Sequence, residues 1–537
     1  MKPLSGVWLK PWDFRETDPE YRTWYFPVRI FTMVMLFVSV SGILRLSTRL
    51  SSESYQKPVI YLAFLEKILM NWQWLILSIA IFTGAFFLRK NLRCSWGVFP
   101  HSRFVRLLVM LATVVLAWTF ATYDLNLFLN RAHYTDRLLL SVLIPLIYWR
   151  PVFVLPFLTM LFPVVWQFGL LKGFSWATIL IPLNVLILFS AFYIFYVISK
   201  KFLLKDFAFL SGCLFAAHYW LSGYGKLTVD WLMRDQIYFL LPATYTNGWL
   251  DGLNPDTISF MVRYLAVFNI PLKLLVITIE FGMLFFFFRN KWTRFLICGA
   301  ILLHAGIFLV SGIFFWMWGI MGIGLLICFT QKEAFAQLPL NSTRHIVTSM
   351  ILIAGGIYWC NPPNLVWYDS PVSYTYRFKA IAENADTYYL PPAFFAPYDY
   401  QFTLGKFSYL SHRTSLQITW GATQDADMAQ KLSRLSLPQA LSFEARHGAI
   451  RYDSTETMAF DRFLTEYIHN WNVRLSKDTW LSKVSAPRQL WTFPNAPAFE
   501  KPMRIDSVVI TRVTSFFSNN NYSETPEIPI RKIKIPS

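Results

Sequence analysis

Long apolar runs separated by short basic loops constrain this chain more than any other feature. Hydrophobic residues make up 55% of its 537 residues and aromatic residues 18%. That composition is too apolar for an ordinary soluble enzyme. The runs 28–46, 68–88 and 104–123 are each long enough to cross about 30 Å of hydrocarbon as a helix. The sequence therefore predicts a polytopic α-helical membrane protein, with the lipid bilayer as one partner.

Later apolar runs continue this pattern and set the predicted number of spans. The run 138–168 is interrupted by Arg150 and Pro151, so it forms either one kinked span or two short spans. The position of the later basic loop favours two short spans. The run 295–329 has enough residues for two short spans. Counting all runs predicts about nine to eleven spans, the others being 176–198, 207–224, 268–288 and 345–360.

Basic residues are placed as membrane topology requires. The net charge is +18, but its cations fall in short loops and form no single patch, which argues against a nucleic-acid partner. The densest basic loop lies between the second and third runs and predicts a cytoplasmic N-terminus. The 225–267 loop then lies outside, and its turn signals predict an ordered segment.

The composition changes near residue 361, where prolines, charged residues and alternating strand-like runs begin. We expect a transmembrane domain over 1–360 and an exoplasmic β-rich domain over 361–537, which is long enough to bury a core of its own. A helix is predicted over 461–473. Strands are predicted over 374–380, 401–409, 415–420, 507–516 and 528–535.

Lys226 is the first candidate for chemistry, because it lies where an apolar run gives way to polar sequence. An amine at the edge of hydrocarbon is costly to keep charged and marks a functional site by default. Desolvation favours the neutral amine, which can act as a base. A lysine that extends from a helix end toward water is an equally good interpretation from the residues alone.

Two histidines are further candidates. His133 lies in a loop that we place on the same membrane side as Lys226, where a surface role is the simpler interpretation. His304 lies within an apolar run, so its ring must face the bundle interior or a cavity. Packing against another polar group is as plausible for His304 as catalysis.

Three groups are predicted near Lys226 or inside a span. His218 precedes Lys226 by eight residues, which places both on roughly one helix face and lets His218 line the same cavity. Glu280 is an acid inside a span, so it either pairs with a lysine or histidine or titrates. Asp230 either tunes Lys226 or caps the turn.

Motifs of soluble enzymes and metal sites are absent from the sequence. There is no P-loop, GxGxxG, HExxH or GxSxG. The five cysteines show no metal-ligand spacing and support neither a disulfide framework nor a zinc site. We therefore expect no metal.

Four segments carry a family resemblance. GYGKLTVDWL, with Lys226, Asp230 and Trp231 on the pattern, resembles the signature of vitamin K-dependent gamma-carboxylases and the wider HTTM group of membrane proteins. NRAHYTDRLLL, LLHAGIFLVSGIFFWM and ITIEFGMLFFFF resemble the family's segments bearing a histidine, a second histidine and a glutamate. In this chain those residues are His133, His304 and Glu280.

The resemblance implies an activity, co-substrates and site residues. A vitamin K hydroquinone, dioxygen and carbon dioxide would be consumed as a peptidyl glutamate is carboxylated and the quinone is epoxidised. Lys226 would deprotonate the hydroquinone, His133 would stabilise charge or guide protons, and His304 would orient groups. The quinone-binding set would be His218, Asp230, Trp231 and Glu280.

Two further hypotheses come from other functional classes. The chain could be a non-catalytic HTTM protein that binds a quinone or lipid and presents its outer domain to a partner. It could also be a small-solute transporter, although the lack of repeat symmetry and the large outer tail argue against that.

Overall fold

A computed structural model describes residues 21–123, 125–410, 413–416, 421–476, 483–487, 499 and 503–536. Helices dominate the described residues as far as Tyr358, and strands begin at Tyr368. The first eleven helices are α1 (Tyr21–Ser47), α2 (Ile60–Met70), α3 (Trp72–Phe87), α4 (Arg89–Leu92), α5 (Ser102–Ala121), α6 (Tyr134–Trp149), α7 (Val154–Trp166), α8 (Leu180–Ser199), α9 (Leu204–Thr228), α10 (Trp231–Arg234) and α11 (Leu240–Thr246).

The remaining elements complete the helical region and form a mixed C-terminal region. The helices are α12 (Pro255–Val267), α13 (Asn269–Gly282), α14 (Asn290–Ser311), α15 (Trp316–Thr330), α16 (Thr343–Ala354), α17 (Asp399–Leu404), α18 (Ala426–Leu432), α19 (Leu437–His447) and α20 (Ser454–Arg474). The strands are β1 (Tyr368–Asp369), β2 (Val372–Ala382), β3 (Thr387–Tyr389), β4 (Ala422–Thr423), β5 (Ile505–Ser518), β6 (Asn521–Glu524) and β7 (Ile528–Lys534).

Several helices have the length and composition of membrane spans. Among the described residues, five qualify by themselves, and the number reaches seven if each of two bent pairs is one span. The prediction of a mostly helical protein with membrane-span candidates is confirmed. The described residues contain fewer such candidates than the nine to eleven spans predicted. The five are Phe26–Ser47, Ser102–Ala121, Pro151–Leu170, Ala177–Ser199 and Asn290–Ser311.

The apolar runs do not all form straight helices. The run 68–88 contains a bend of 102° between α2 and α3. Asn71 explains the bend, because its side chain accepts hydrogen bonds from the backbone N–H groups of Gln73 and Trp74 and starts a new helix. The run 138–168 is two helices, since Arg150 is extended and Pro151 begins a short 3-10 turn before α7.

Helix α9 lies at the centre of the helical region. It packs against α8, α13 and α16, and nearly all of its residues from Leu204 to Gly223 are buried. Its first turn is fixed by Asp206, whose carboxylate accepts two hydrogen bonds from Arg29 of α1, at 2.7 and 2.8 Å. Because Asp206 is buried, this ion pair fixes the position of α1 against the first turn of α9.

Replacing Asp206 with alanine should destabilise the protein by about 3 kcal/mol, because a partly buried Arg29 loses its main partner. The exposed pair Arg462–Glu466 is the control, and Glu466→Ala should cost less than about 0.5 kcal/mol. Thermal unfolding of both variants in detergent measures the difference. Equal unfolding midpoints would show that the Arg29–Asp206 pair does not secure α9.

The described C-terminal residues form a five-stranded antiparallel sheet and a two-stranded pair of β1 with β4. In the larger sheet β2 lies between β3 and β5, and β5 also pairs with β6 and β7. Tyr376 lies opposite Arg512, and Phe378 opposite Ile510. Helix α20 covers one face, where Phe460 contacts Phe378. The predicted strands 374–380, 507–516 and 528–535 and the helix 461–473 are confirmed.

The predicted strand 401–409 is wrong. Residues Asp399–Leu404 form α17, and a 3-10 turn follows at Ser408–Leu410. The alternation of polar and apolar residues there suggests that the polar ones face solvent, but Gln401 is buried. Its side chain donates a hydrogen bond to the carbonyl of Phe168 at 3.0 Å. Gly405, in the left-handed region, ends the helix. Residues 417–420 of the predicted strand 415–420 lie outside the described residues.

Glu527 makes the sheet's stability depend on pH. Burial alone would raise its pKa, but hydrogen bonds from Lys379, Tyr389, Thr511 and Arg377 lower the pKa to about 2 from its ordinary 4.5. Because the pKa is lower in the folded protein than in the unfolded one, the ionised carboxylate contributes its full stabilisation above pH 4.5. That stabilisation is lost as the pH falls toward 2.

We expect Glu527→Gln to be less stable than the wild type near neutral pH, with the gap closing as the pH falls below about 4. Unfolding midpoints of both proteins across that range test this. A difference in unfolding midpoint that does not change with pH would show that the charge of Glu527 is not its cause.

Candidate functional site

Lys226 lies in the last turn of α9, which continues through two glycines to Thr228. The side chain is buried, with the residue 8% exposed. Its Nζ donates to Oε2 of Glu280 in α13 at 2.6 Å and lies 5.4 Å from the ring centre of Trp231. Of the two roles left open for Glu280, the structure places it as the partner of a lysine.

Gly223 allows this pair to form. A Cβ atom at position 223 would lie 2.6 Å from the backbone nitrogen of Phe281 and 2.8 Å from the carbonyl carbon of Glu280. No side chain fits at such distances, so α9 and α13 touch backbone to backbone here. Close contact at Gly223 brings the lysine and the glutamate, on neighbouring helices, within hydrogen-bonding reach.

The Lys226–Glu280 pair combines burial with limited access. Each side chain retains 10% of its surface. Removing two ions from water is expensive, and their mutual attraction offsets that cost only with good geometry. Tyr224 and Leu227, close to Lys226 in the sequence, are exposed, so the C-terminal end of α9 also presents apolar side chains at its surface.

A second cluster joins the two predicted histidines within the bundle. The ring of His218 packs edge-on against Trp318 at 5.7 Å, and the ring of His304 contacts the same Trp318 at 5.5 Å. Tyr219 and Nε2 of His304 share a hydrogen bond of 2.8 Å. The structure therefore brings His218 and His304 together around Trp318 and Tyr219.

Both imidazoles keep one nitrogen without a partner. Nδ1 of His218 faces the carbonyl of Leu214 at 2.8 Å, whereas its Nε2 has no hydrogen bond among the described residues. Nδ1 of His304 is likewise unpaired within the described part of the chain. Buried polar atoms are rarely left unpaired, and such exceptions call for an explanation such as a ligand, a water or a catalytic role.

His218 and Lys226 share α9 but face different neighbours. Eight residues correspond to about 80° of rotation around an α-helix. That rotation turns His218 toward Trp318 of α15 and Lys226 toward Glu280 of α13. The two clusters therefore lie about two helical turns apart along α9 and face different helices, so the structure does not show His218 and Lys226 lining one cavity.

His133 lies apart from both clusters. It has a left-handed backbone at the start of α6, and its Nε2 shares a hydrogen bond of 3.0 Å with the carbonyl of Tyr55. Burial lowers its pKa to about 4, so the ring is neutral near pH 7. No described contact joins it to Lys226. It borders an open, polar cavity of about 520 Å³ that Arg131 and Arg474 also line.

The two predicted residues that follow Lys226 differ in burial. Trp231 is buried and packs with Tyr368 of β1, beneath the ammonium of Lys226. Asp230 is exposed and has a left-handed backbone, and its carbonyl accepts from the backbone N–H groups of Met233 and Arg234. The structure thus places Asp230 at the start of a turn and Trp231 against the lysine.

An aromatic cavity of about 140 Å³ lies where the helical region meets α17. Phe315 lines it and also contacts the ring of His304 at 5.0 Å, so the cavity is one aromatic layer from the imidazole cluster. Lys226 is not among its described lining residues. The other rings that line it are Phe120, Tyr123, Phe168, Phe174, Phe314, Trp316 and Tyr400.

Residues missed at the sequence level complete the site. Tyr219 and Trp318 lie beside predicted histidines but carry no motif of their own. The segment that follows Cys360 crosses α9, where the backbone N–H of Leu365 donates to Ser222 at 3.1 Å. Val366 lies against Gly225, at which a Cβ would approach it to 2.6 Å. The small residues of SGYG were the available signal for this crossing.

No group of three or more possible metal ligands occurs among the described residues, and the five cysteines, all in described segments, are unpaired. No protein-family model, curated protein or solved structure matches this chain.

Proposed function

We propose that this chain is a membrane-embedded enzyme resembling vitamin K-dependent gamma-carboxylases, in which Lys226 is the base. The observation that carries the proposal is the buried Lys226 amine 2.6 Å from Glu280. Reduced vitamin K, on reaction with dioxygen, supplies the strong base that takes a γ-proton from glutamate. The hydroquinone, dioxygen, carbon dioxide and glutamate are consumed, and the epoxide, γ-carboxyglutamate and water are formed. Every other role falls to the chain's own residues.

The Lys226–Glu280 ion pair can supply a neutral amine by proton transfer within its hydrogen bond. Transfer of one proton from the ammonium to the carboxylate leaves a neutral amine beside a neutral acid. This form places no separated charges in a low-dielectric site, where ions are costly. The amine is then able to accept a proton from a hydroquinone hydroxyl, and Glu280 holds the proton that the amine released.

The surroundings suit a lipid-soluble substrate. The exposed apolar side chains of Tyr224 and Leu227 would offer a route from the bilayer, and Trp231, buried beneath the amine of Lys226, would border a flat ring bound at that amine. His218 and His304, with one unpaired nitrogen each, would bind or orient polar atoms one layer deeper. His133 would act at the separate polar cavity, on the path of protons or of a peptide.

The proposed topology has nine to eleven spans, a cytoplasmic N-terminus and an exoplasmic C-terminal domain. The shorter apolar helices α15 and α16, the bent pairs and the long α9 supply the spans beyond the five that qualify by length and hydropathy. The carboxylation site then opens to the periplasm, the cell exterior or a lumen. A glutamate-containing peptide reaches it from that aqueous side.

The proposal is tested with purified wild-type protein in detergent, reduced vitamin K, a glutamate peptide and isotopically labelled carbon dioxide. We expect epoxide and labelled carboxylate to appear together, in a ratio that does not change with time. Removal of dioxygen should stop both. Quinone binding without either product would overturn the enzymatic proposal.

The aromatic cavity favours a second candidate, a non-catalytic protein that binds a quinone or lipid and presents its outer domain to a partner. Its rings suit a flat ligand, and Lys226 is not among the described residues that line it. Under this alternative, Phe174→Ala weakens quinone binding whereas Lys226→Ala leaves it unchanged. Fluorescence quenching by the quinone distinguishes the two.

A further inference from the structure

Two buried aspartates meet beside the lysine site, at the junction of α10 with β1. Oδ1 of Asp235 accepts a hydrogen bond from the backbone N–H of Asp369 at 2.7 Å. Asp235 is 1% exposed and Asp369 7% exposed. The proposed reaction assigns no role to either residue. Neither lies on a motif that the sequence identified.

Each carboxyl group has one oxygen without a partner. Oδ2 of Asp235 and Oδ1 of Asp369 are buried and make no hydrogen bond with any described residue. An ionised carboxylate only accepts hydrogen bonds, whereas a protonated one also donates. A single proton on the pair would therefore supply the missing donor.

The electrostatics of the pair favour such a proton. Burial raises the pKa of Asp235 well above its ordinary value. Burial, and then the charge of Asp235, raise the pKa of Asp369 well above its ordinary value. Two like charges in one buried site do not ionise together near neutral pH.

Cations approach this pair from two helices. Nζ of Lys273 in α13 donates to the carbonyl of Asp235 at 2.6 Å. Lys226 of α9 lies close enough to favour the ionised form of both aspartates. The other charged or titratable neighbours are Arg234, which pairs with the exposed Asp427, the tyrosines Tyr238 and Tyr368, and Asp230 and Asp425, which face Tyr368.

We infer that Asp235 and Asp369 hold one proton between them and act as positioning residues that set the charge beside Lys226. The inference rests on the proposed role of Lys226 as a base. With the proton bound, the pair carries one negative charge. When the proton leaves to solvent, a second negative charge beside Lys226 favours its ammonium form, which cannot accept a proton from the substrate.

Infrared spectroscopy of the full-length protein tests the shared proton without any turnover. We expect a carboxylic-acid C=O band below neutral pH that disappears as the pair loses its shared proton at higher pH. Asp235→Asn and Asp369→Asn should each remove the band or move its midpoint to lower pH, whereas Glu280→Gln and the surface control Asp427→Asn should retain it. A band that is missing in the wild type, or unchanged in both variants, would overturn the inference.

The pH profile of the proposed reaction tests the link to Lys226. Replacing one aspartate with asparagine removes the shared proton, so the negative charge beside Lys226 no longer increases as pH rises. The fall in kcat that release of this proton causes toward higher pH should therefore be absent from either variant and from the double variant. The same fall in all three would overturn the link. If the wild type proves inactive, the infrared band still decides whether the proton is shared.

Discussion

Replacing Lys226 with alanine should abolish epoxide and carboxylate formation together, lowering both rates by a factor of about 10² to 10⁴. One base starts both half-reactions under the proposal, so neither product should survive alone. The amine is buried and hydrogen-bonded to Glu280 at 2.6 Å, and alanine removes the nitrogen that would accept the proton. Paired measurements of both products at saturating quinol provide the test.

A matched control separates this loss from the removal of any lysine–glutamate pair. Lys172 pairs with Glu456 at 3.2 Å on the surface, where its side chain is about half exposed. Lys172→Ala should leave both product rates unchanged. Wild-type rates in Lys226→Ala, or loss of only one product, would contradict the assigned role.

Gly223→Ala should reduce turnover by about 10², because a displacement near 1 Å is enough to disturb catalytic geometry. The added methyl group meets the backbone of Phe281 at 2.6 Å, so α9 and α13 must move apart. The hydrogen bond between Lys226 and Glu280 lengthens with them. We also expect a loss of stability of about 1–3 kcal/mol from overpacking.

Gly306 in α14 is the control for this substitution. A Cβ there meets no atom within 4 Å, so Gly306→Ala should stabilise its helix by up to about 1 kcal/mol. Opposite signs for the two glycine-to-alanine changes, measured by thermal unfolding and turnover, are the expected result. Equal effects would show that α9 and α13 are not in tight contact at Gly223.

The sequence could predict the parts of the fold that local patterns determine. Hydropathy predicts helical segments such as α5, and a run rich in β-branched and aromatic residues predicts β5. The bend at Asn71 was missed because one capping side chain inside an apolar run carries little signal. The 401–409 error has another cause, since buried contacts with distant residues such as Phe168 override the local pattern.

The site was predictable only where one element carries it. The helical period places His218 and Lys226 on one helix, as α9 does in the structure, but their side chains face different helices there. The partner of Lys226 is 54 residues away, and Asp235 and Asp369 are 134 apart. Pairings at such separations depend on tertiary packing, which one sequence does not specify.

Replacing the whole Lys226–Glu280 pair separates stability from chemistry. Lys226→Met alone or Glu280→Leu alone leaves one buried charge unpaired and should cost about 3–5 kcal/mol. The double variant fills the same space with apolar side chains. Its stability should return to that of the wild type or exceed it, because a buried ion pair is often no better than a hydrophobic contact.

The most direct test of the account is therefore the product yield of the folded Lys226→Met, Glu280→Leu protein. It should unfold at the wild-type temperature or above, bind reduced vitamin K, and form neither epoxide nor labelled carboxylate. Both products at wild-type rates from this protein would show that the buried pair has no part in the reaction.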